Sequence, residues 1–215
     1  MEDVLWPPGQ PALPLSVLLD DVATQHDDVG CNLDDAAEAV LRITRAGAMV
    51  SPAKCKFAVK TTRHLGDKWT SGGYWRPPDG KISALLELDE QSLASMPRAQ
   101  LFGMLGYWRD YVPDFAARTQ RLRHLLRGDA APWTPAHTEE FRATVQALVD
   151  SAPMINFDPQ EPVVLETHTG PKGLAAVYLQ QDPAGGRWLP VAAYSRPLTA
   201  TELGVSGAQL ELTAA

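Results

Sequence analysis

The sequence predicts an α+β fold, a mixed arrangement in which strands and helices occupy separate stretches of the chain. Three observations predict it. Short strand candidates punctuate residues 15–67, helical periods fill residues 97–150, and residues 162–195 return to strand patterns that include a hairpin signal. A chain of 215 residues with 45% hydrophobic content suffices for one large domain or two small ones around a packed core.

Residues 1–14, rich in proline and without period, read as an irregular lead-in. Leu15 to Leu19 is an apolar run that ends at Asp20-Asp21, so a buried strand runs into an acidic turn. Asn32 is placed to cap a helix with Leu33, Ala37, Val40, Leu41 and Thr44 on one face, and Gly47 supplies a left-handed stop. Ala48–Val50, Lys56–Lys60 and Arg63–Asp67 follow as short strands, and residues 70–80 form a turn-rich break.

Pro97 suits the first turn of a helix through Leu101, Leu105 and Trp108 that Pro113 stops. A second helix from Asp114 turns Phe115, Leu122, Leu125 and Leu126 inward, with arginines outside and Gly128 closing it. Thr134-Pro135 opens a third, with Phe141, Val145, Leu148 and Val149 at core spacing. Pro162–Thr167, Gly173–Gln181 and Arg187–Ser195 read as strands, the last two joined through Pro183-Ala-Gly-Gly186. Ser206-Gly-Ala-Gln209 matches a capping box, so a last helix begins there.

A formal charge of −7 argues against indiscriminate binding to nucleic acid. Local patches depart from that balance. Lys54, Lys56, Lys60, Arg63 and Lys68 form one basic stretch, and Arg109, Arg118, Arg121, Arg123 and Arg127 form another. Cys31 and Cys55 build neither a disulfide framework nor a zinc spacing, so they read as buried thiols in a reduced, intracellular setting, cytoplasmic or nuclear. No apolar run approaches the roughly 18 to 20 residues that span a bilayer. Tyr107, Trp108 and Tyr111 read as helix packing before they read as stacking platforms for bases.

The order of these segments resembles gypsy-type LTR retrotransposon and related retroviral reverse transcriptases, from the palm into the tethered RNase H domain. Leu18-Leu19-Asp20-Asp21 lies where that family has its Y-x-D-D turn, and Ser51-Pro-Ala-Lys-Cys-Lys-Phe57 is similar to its N-P-x-K-C-x-F stretch. His64-Leu65-Gly66 resembles the F-L-G turn that opens the primer grip. Leu101-Phe-Gly-Met-Leu-Gly-Tyr-Trp-Arg-Asp-Tyr-Val-Pro-Asp-Phe115 is similar to the thumb signature F-L-G-L-x-N-Y-Y-R-R-F-I-P-x-F. Trp133-Thr-Pro135 to Phe141, Ser151-Ala-Pro153 and Val164-Leu-Glu-Thr167 continue the same order into the first RNase H strand.

The resemblance implies a partial palm with a primer-grip-like hairpin over 15–80, a helical thumb over 81–130, a connection helix over 131–160 and a truncated RNase H-like mixed sheet over 161–215. It implies nucleotidyl transfer by metal-held Asp20 and Asp21 with magnesium or manganese, and RNA-strand hydrolysis through Glu211. It also implies backbone contacts to an RNA–DNA hybrid or duplex DNA from Leu65, Gly66, Lys68, Arg109, Arg118, Arg121 and Arg123.

Three departures set the expectation for chemistry. Leu18 replaces the family's tyrosine, the fingers and the first palm aspartate are not in the sequence, and Thr167-His168-Thr169-Gly170 stands where the family reads T-D-A-S. Imidazole prefers softer metals and does not replace a carboxylate on magnesium. His168 reads either as a ligand in a rewired site or as a decayed position. Both active sites are therefore expected to be incomplete in this chain, with a missing polymerase portion or a second copy as partner. The alternative is a domesticated, non-catalytic module that binds nucleic acid or protein.

Overall fold

The computed structural model describes residues 2–5, 13, 15–18, 21–24, 26, 28–126 and 131–214, in two compact units that meet in sequence at Trp75 and Arg76. Helices and antiparallel strand pairs combine in an α+β fold.

The first unit begins with α1 (Glu2–Leu5) and the hairpin of β1 (Leu15–Leu18) with β2 (Asp21–Thr24), in which Leu18 pairs with Asp21. Strand β2 was not expected, because four residues are too few to display an alternating period. Helix α2 (Val29–Arg45) starts earlier than predicted. Asp28 is its cap, with Oδ1 accepting the Cys31 amide at 2.8 Å, while Asn32 donates instead to Thr24 Oγ1 at 3.1 Å. Gly30 near the start has poor helix propensity, which hid the first turn from the sequence reading. Gly47, at φ 84°, ends the helix as predicted.

The core of this unit is Leu5, Ala39 and Ile43, with Leu13, Val17, Val22 and Val50 packed around them. Arg42 is buried beside it, bonded to Glu38 at 2.8 Å and to the Leu5 carbonyl at 2.6 Å, so an end carbonyl of α1 and a buried guanidinium satisfy each other.

Two predicted strands are absent, a third, Arg63–Asp67, is interrupted by the turn at Leu65-Gly66, and the expected break over 70–80 holds a strand at Tyr74–Arg76. Ala48–Val50 and Lys56–Lys60 are irregular, because a 3₁₀ turn at Pro52–Lys54 intervenes and Ala58 takes φ 49°, which no strand sustains. The extended segments are β3 (Thr61–His64), β4 (Asp67–Thr70) and β5 (Tyr74–Arg76), side by side in that order. Cys31 is exposed and Cys55 half-buried, which corrects the buried-thiol expectation: α2 turns Cys31 away from its packed side.

The second unit opens with two helices that the sequence hid behind turn residues, α3 (Asp79–Leu86) directly after Pro77-Pro78 and α4 (Glu90–Ser95). Helix α5 (Arg98–Tyr107) buries Leu101 and Leu105 as predicted. The single helix expected after Pro113 is two short ones, α6 (Phe115–Arg118) and α7 (Gln120–His124), broken at Thr119. The buried Thr119 hydroxyl donates to the Phe115 carbonyl at 2.7 Å, a local bond that competes with helix continuation. Phe115, Leu122 and Leu125 are buried, but Leu126 is 45% exposed and is not part of the core. Gly128 lies outside the described residues.

Helix α8 (Pro135–Val149) buries Phe141, Val145 and Leu148. Its Arg142 donates to the carbonyls of Leu86 and Leu88, placing a cation at the C-terminal end of α3. After β6 (Met154–Ile155) come β7 (Val164–Gly170), β8 (Gly173–Gln181) and β9 (Trp188–Arg196), an antiparallel sheet with β8 central. One sheet face carries Glu166, His168, Ala175, Val177 and Ser195. Helix α6 covers part of that face, since the Ala116 amide donates to Ser195 Oγ at 3.2 Å. Helix α9 (Gly207–Ala214) follows, and Ser206 Oγ donates to Gln209 Oε1 at 3.0 Å at its start. Among the described residues no helix is long and apolar enough to cross a membrane.

Candidate nucleic-acid interface

In the first unit Asp21 is exposed on β2, while Asp20 lies outside the described residues. Burial pushes the His64 imidazole below its ordinary range, and the negative charge of Asp21 opposes that shift. The ring of His64 meets Trp69 edge-on at 5.1 Å. Leu65 and Gly66 form the two-residue turn between β3 and β4, both left-handed at φ 51° and 85°. Across the same hairpin Arg63 is paired with Lys68. Like charges directly opposite are unfavourable alone and are relieved by an anion beside them.

In the second unit, burial of Leu122 and Leu125 sets which way α7 faces. Glu140 on α8 accepts the Leu122 amide at 2.8 Å, holding the helix in place from the core side. Arg118 and Arg121 are consequently exposed, with Arg118 Nε bonded to the Pro113 carbonyl at 2.8 Å. Neither carries an ion pair among the described residues. Arg123 is half-buried and donates to Thr119 Oγ1 at 3.3 Å. Arg109 lies in the 3₁₀ segment Arg109–Tyr111 before α6, its side chain 65% exposed and 3.4 Å from Asp110. Trp108 and Tyr111 are core residues, as their helix-packing reading predicts, while Tyr107 is exposed with its ring edge-on to Trp108 at 4.5 Å.

On β7, His168 is exposed and its Nε2 lies 3.9 Å from Asp114 Oδ2. Asp114 is itself left-handed at φ 53°, and with Glu166, Thr167 and His168 it lines an open cleft of about 410 Å³. Glu211 sits on α9, its side chain outside the described residues. Among the described residues no three His, Cys, Asp or Glu side chains converge as a metal would require. The His168–Asp114 pair by itself does not fit a magnesium ion, which takes oxygen ligands in near-ideal octahedral geometry.

The structure sets Arg118 on α6 and Arg121 and Arg123 on α7, and places Leu65, Gly66 and Lys68 on one hairpin of the other unit. Sequence reading missed His124 and Lys172, which share a cleft with Arg123. The one signal for Lys172 was its place in a Pro-Lys-Gly turn.

Residues 133–215 match the family model of the RNase H-like domain found in reverse transcriptase. Over 194 residues, 89% of this chain, it is 27% identical to the Gag-Pol polyprotein of Walleye dermal sarcoma virus, and the match spans 11% of that polyprotein. Residues 133–215 are thus similar to the RNase H-like domain of reverse transcriptases, and most of the chain is similar to a stretch of a retroviral Gag-Pol polyprotein. The fold agrees. A foamy viral protease-reverse transcriptase in complex with double-stranded DNA superimposes with a TM-score of 0.73 at 24% identity, covering 99% of this chain and 43% of that one. A foamy viral protease-reverse transcriptase in complex with an RNA/DNA hybrid gives a TM-score of 0.75 at 22% identity, covering 99% of this chain and 28% of the other. This chain thus spans a minor part of each relative's length. Reverse transcriptase and RNase H-like domains as a class use divalent metals.

Proposed function

We propose that this retroelement-type region handles nucleic acid rather than cutting or extending it with its own residues. The carrying observation is the exposed basic face of α6 and α7, with Arg118 and Arg121 free of carboxylate partners among the described residues of a chain whose net charge is −7. Cations left unneutralised in an acidic protein suit phosphate oxygens. The nucleic-acid complexes of the foamy viral proteins support the same reading.

In this reading residues 15–80 are palm, 81–130 thumb, 131–160 connection and 161–215 the RNase H-like sheet. The thumb arginines Arg109, Arg118, Arg121 and Arg123 follow one strand of an RNA–DNA hybrid or duplex DNA, and Leu65, Gly66 and Lys68 position a primer end. The resemblance puts the first RNase H carboxylate at His168 on β7, and imidazole does not replace a carboxylate on magnesium, so that position supplies no partner ligand to Glu211. A magnesium or manganese ion at Asp20 and Asp21 requires a further carboxylate from a polymerase portion or a second copy.

Fluorescence anisotropy with an RNA–DNA hybrid tests this at two salt concentrations, about 50 and 200 mM. We expect salt-dependent binding, and an Arg121→Ala, Arg123→Ala variant whose log–log salt slope is shallower by about two, one for each phosphate left without its arginine. Absence of binding at the lower salt overturns the reading and leaves a protein-interaction module.

A further inference from the structure

We propose that a cleft between α7 and the β7–β8 turn is a phosphate-binding site that carries the backbone of a bound duplex from the helical part of the second unit onto its sheet. It rests on the nucleic-acid reading above and adds Gln120, His124 and Lys172 to the predicted Arg123.

The cleft holds about 180 Å³ and is lined by Gln120, Arg123 and His124 from α7 and by Lys172 from the turn, with no carboxylate among the described lining residues. In a chain with 26 acidic and 19 basic side chains, that lining is a local reversal of sign. Glu202, the nearby acid in sequence to the lining residue Leu203, is already engaged. It accepts from Arg196 at 2.6 and 2.7 Å and from the Thr199 amide and hydroxyl, both at 2.8 Å, so its charge is not directed at the cleft.

The cations are held by the fold. Thr119, fully buried, accepts from Arg123 while donating to the Phe115 carbonyl, which fixes the direction of the guanidinium. Lys172 stands in a two-residue turn closed by Gly170 paired with Gly173. A Cβ on Gly173 would lie 2.7 Å from the Arg196 carbonyl and 3.6 Å from Pro197 Cα, so only glycine lets the turn seat against the end of β9. Pro197 and Leu198, which follow, complete the cleft wall. A guanidinium, a lysine ammonium and the polar Gln120 lining one cleft suit the tetrahedral oxygens of a phosphate.

Two sources offer that chemistry, a nucleic-acid backbone and a free polyphosphate. The full chain, with Lys172→Gln and with Lys81→Gln as a control at an exposed site on α3, is titrated into an RNA–DNA hybrid at varied salt. Inorganic pyrophosphate is titrated in parallel, following backbone amide resonances of residues 120–124 and 171–173. The expected result is a roughly three- to tenfold loss of hybrid affinity for Lys172→Gln at low salt and a slope shallower by about one, with Lys81→Gln unchanged. Hybrid binding that Lys172→Gln leaves intact, or that Lys81→Gln weakens equally, overturns the cleft and leaves the broader reading standing. Pyrophosphate shifts without hybrid binding overturn the backbone assignment in favour of a free polyphosphate. Neither response overturns both.

Discussion

Arg196 grips Glu202 with both guanidinium nitrogens, and with the Thr199 amide and hydroxyl it holds that carboxyl at about 2 against an ordinary 4.5. The folded value lies below the unfolded one. The contribution to stability is therefore complete above pH 4.5 and is lost as pH falls towards 2. Urea midpoints for the wild type and Glu202→Gln should differ at neutral pH and converge through that window. A gap that persists in acid would mean the glutamate acts by shape rather than by charge. Nothing in the sequence announced this pair, because Arg196 and Glu202 meet only where the chain turns after β9. The same holds for the cap of α2. Asp28 and Asn32 are equally good cap residues, and only the contact of Asn32 with Thr24 on β2 assigns the role to Asp28.

Elements whose residues display a full period were legible in the sequence. Strand β8 has the predicted bounds, Gly173–Gln181, because its apolar run is closed by turn residues at both ends. Helix α8 likewise begins at the Thr134-Pro135 signal. The break between α6 and α7 was not legible, since Thr119 is an ordinary residue until its hydroxyl finds the Phe115 carbonyl. The β3–β4 turn was found as a motif but not as a strained one. Leu65 is a bulky residue held at φ 51°, where Asn-Gly is the favoured pair for a two-residue hairpin. Leu65→Asn should therefore raise stability by about 1 kcal/mol, read as the shift in urea midpoint. If Leu65 positions a primer end, the same variant weakens hybrid binding while folding more stably. A variant that is less stable would show that the Leu65 side chain holds the hairpin through packing that outweighs its backbone strain.

At the scale of the whole chain, the two units differ in how much core they possess. Among the described residues of the first, burial is confined to Leu5, Ala39, Arg42, Ile43 and His64, and two of these carry polar groups whose burial is costly. The second buries Leu93, Leu101, Leu122, Phe141, Val145, Met154 and Leu189 almost completely. Local opening follows buried apolar contact, so the first unit should open at lower free energy. Hydrogen exchange in sub-denaturing urea is expected to show amides of α2 and the β3–β4 hairpin exchanging while those of α8 and β8 remain protected. Addition of an RNA–DNA hybrid should then slow exchange at α7 and at the β7–β8 turn, because a ligand that binds only the folded state stabilises the unit that holds it. Exchange of both units in step would mean one cooperative body. Protection by the hybrid confined to the β3–β4 hairpin would move the phosphate-gripping surface from the arginines of α6 and α7 to Arg63 and Lys68.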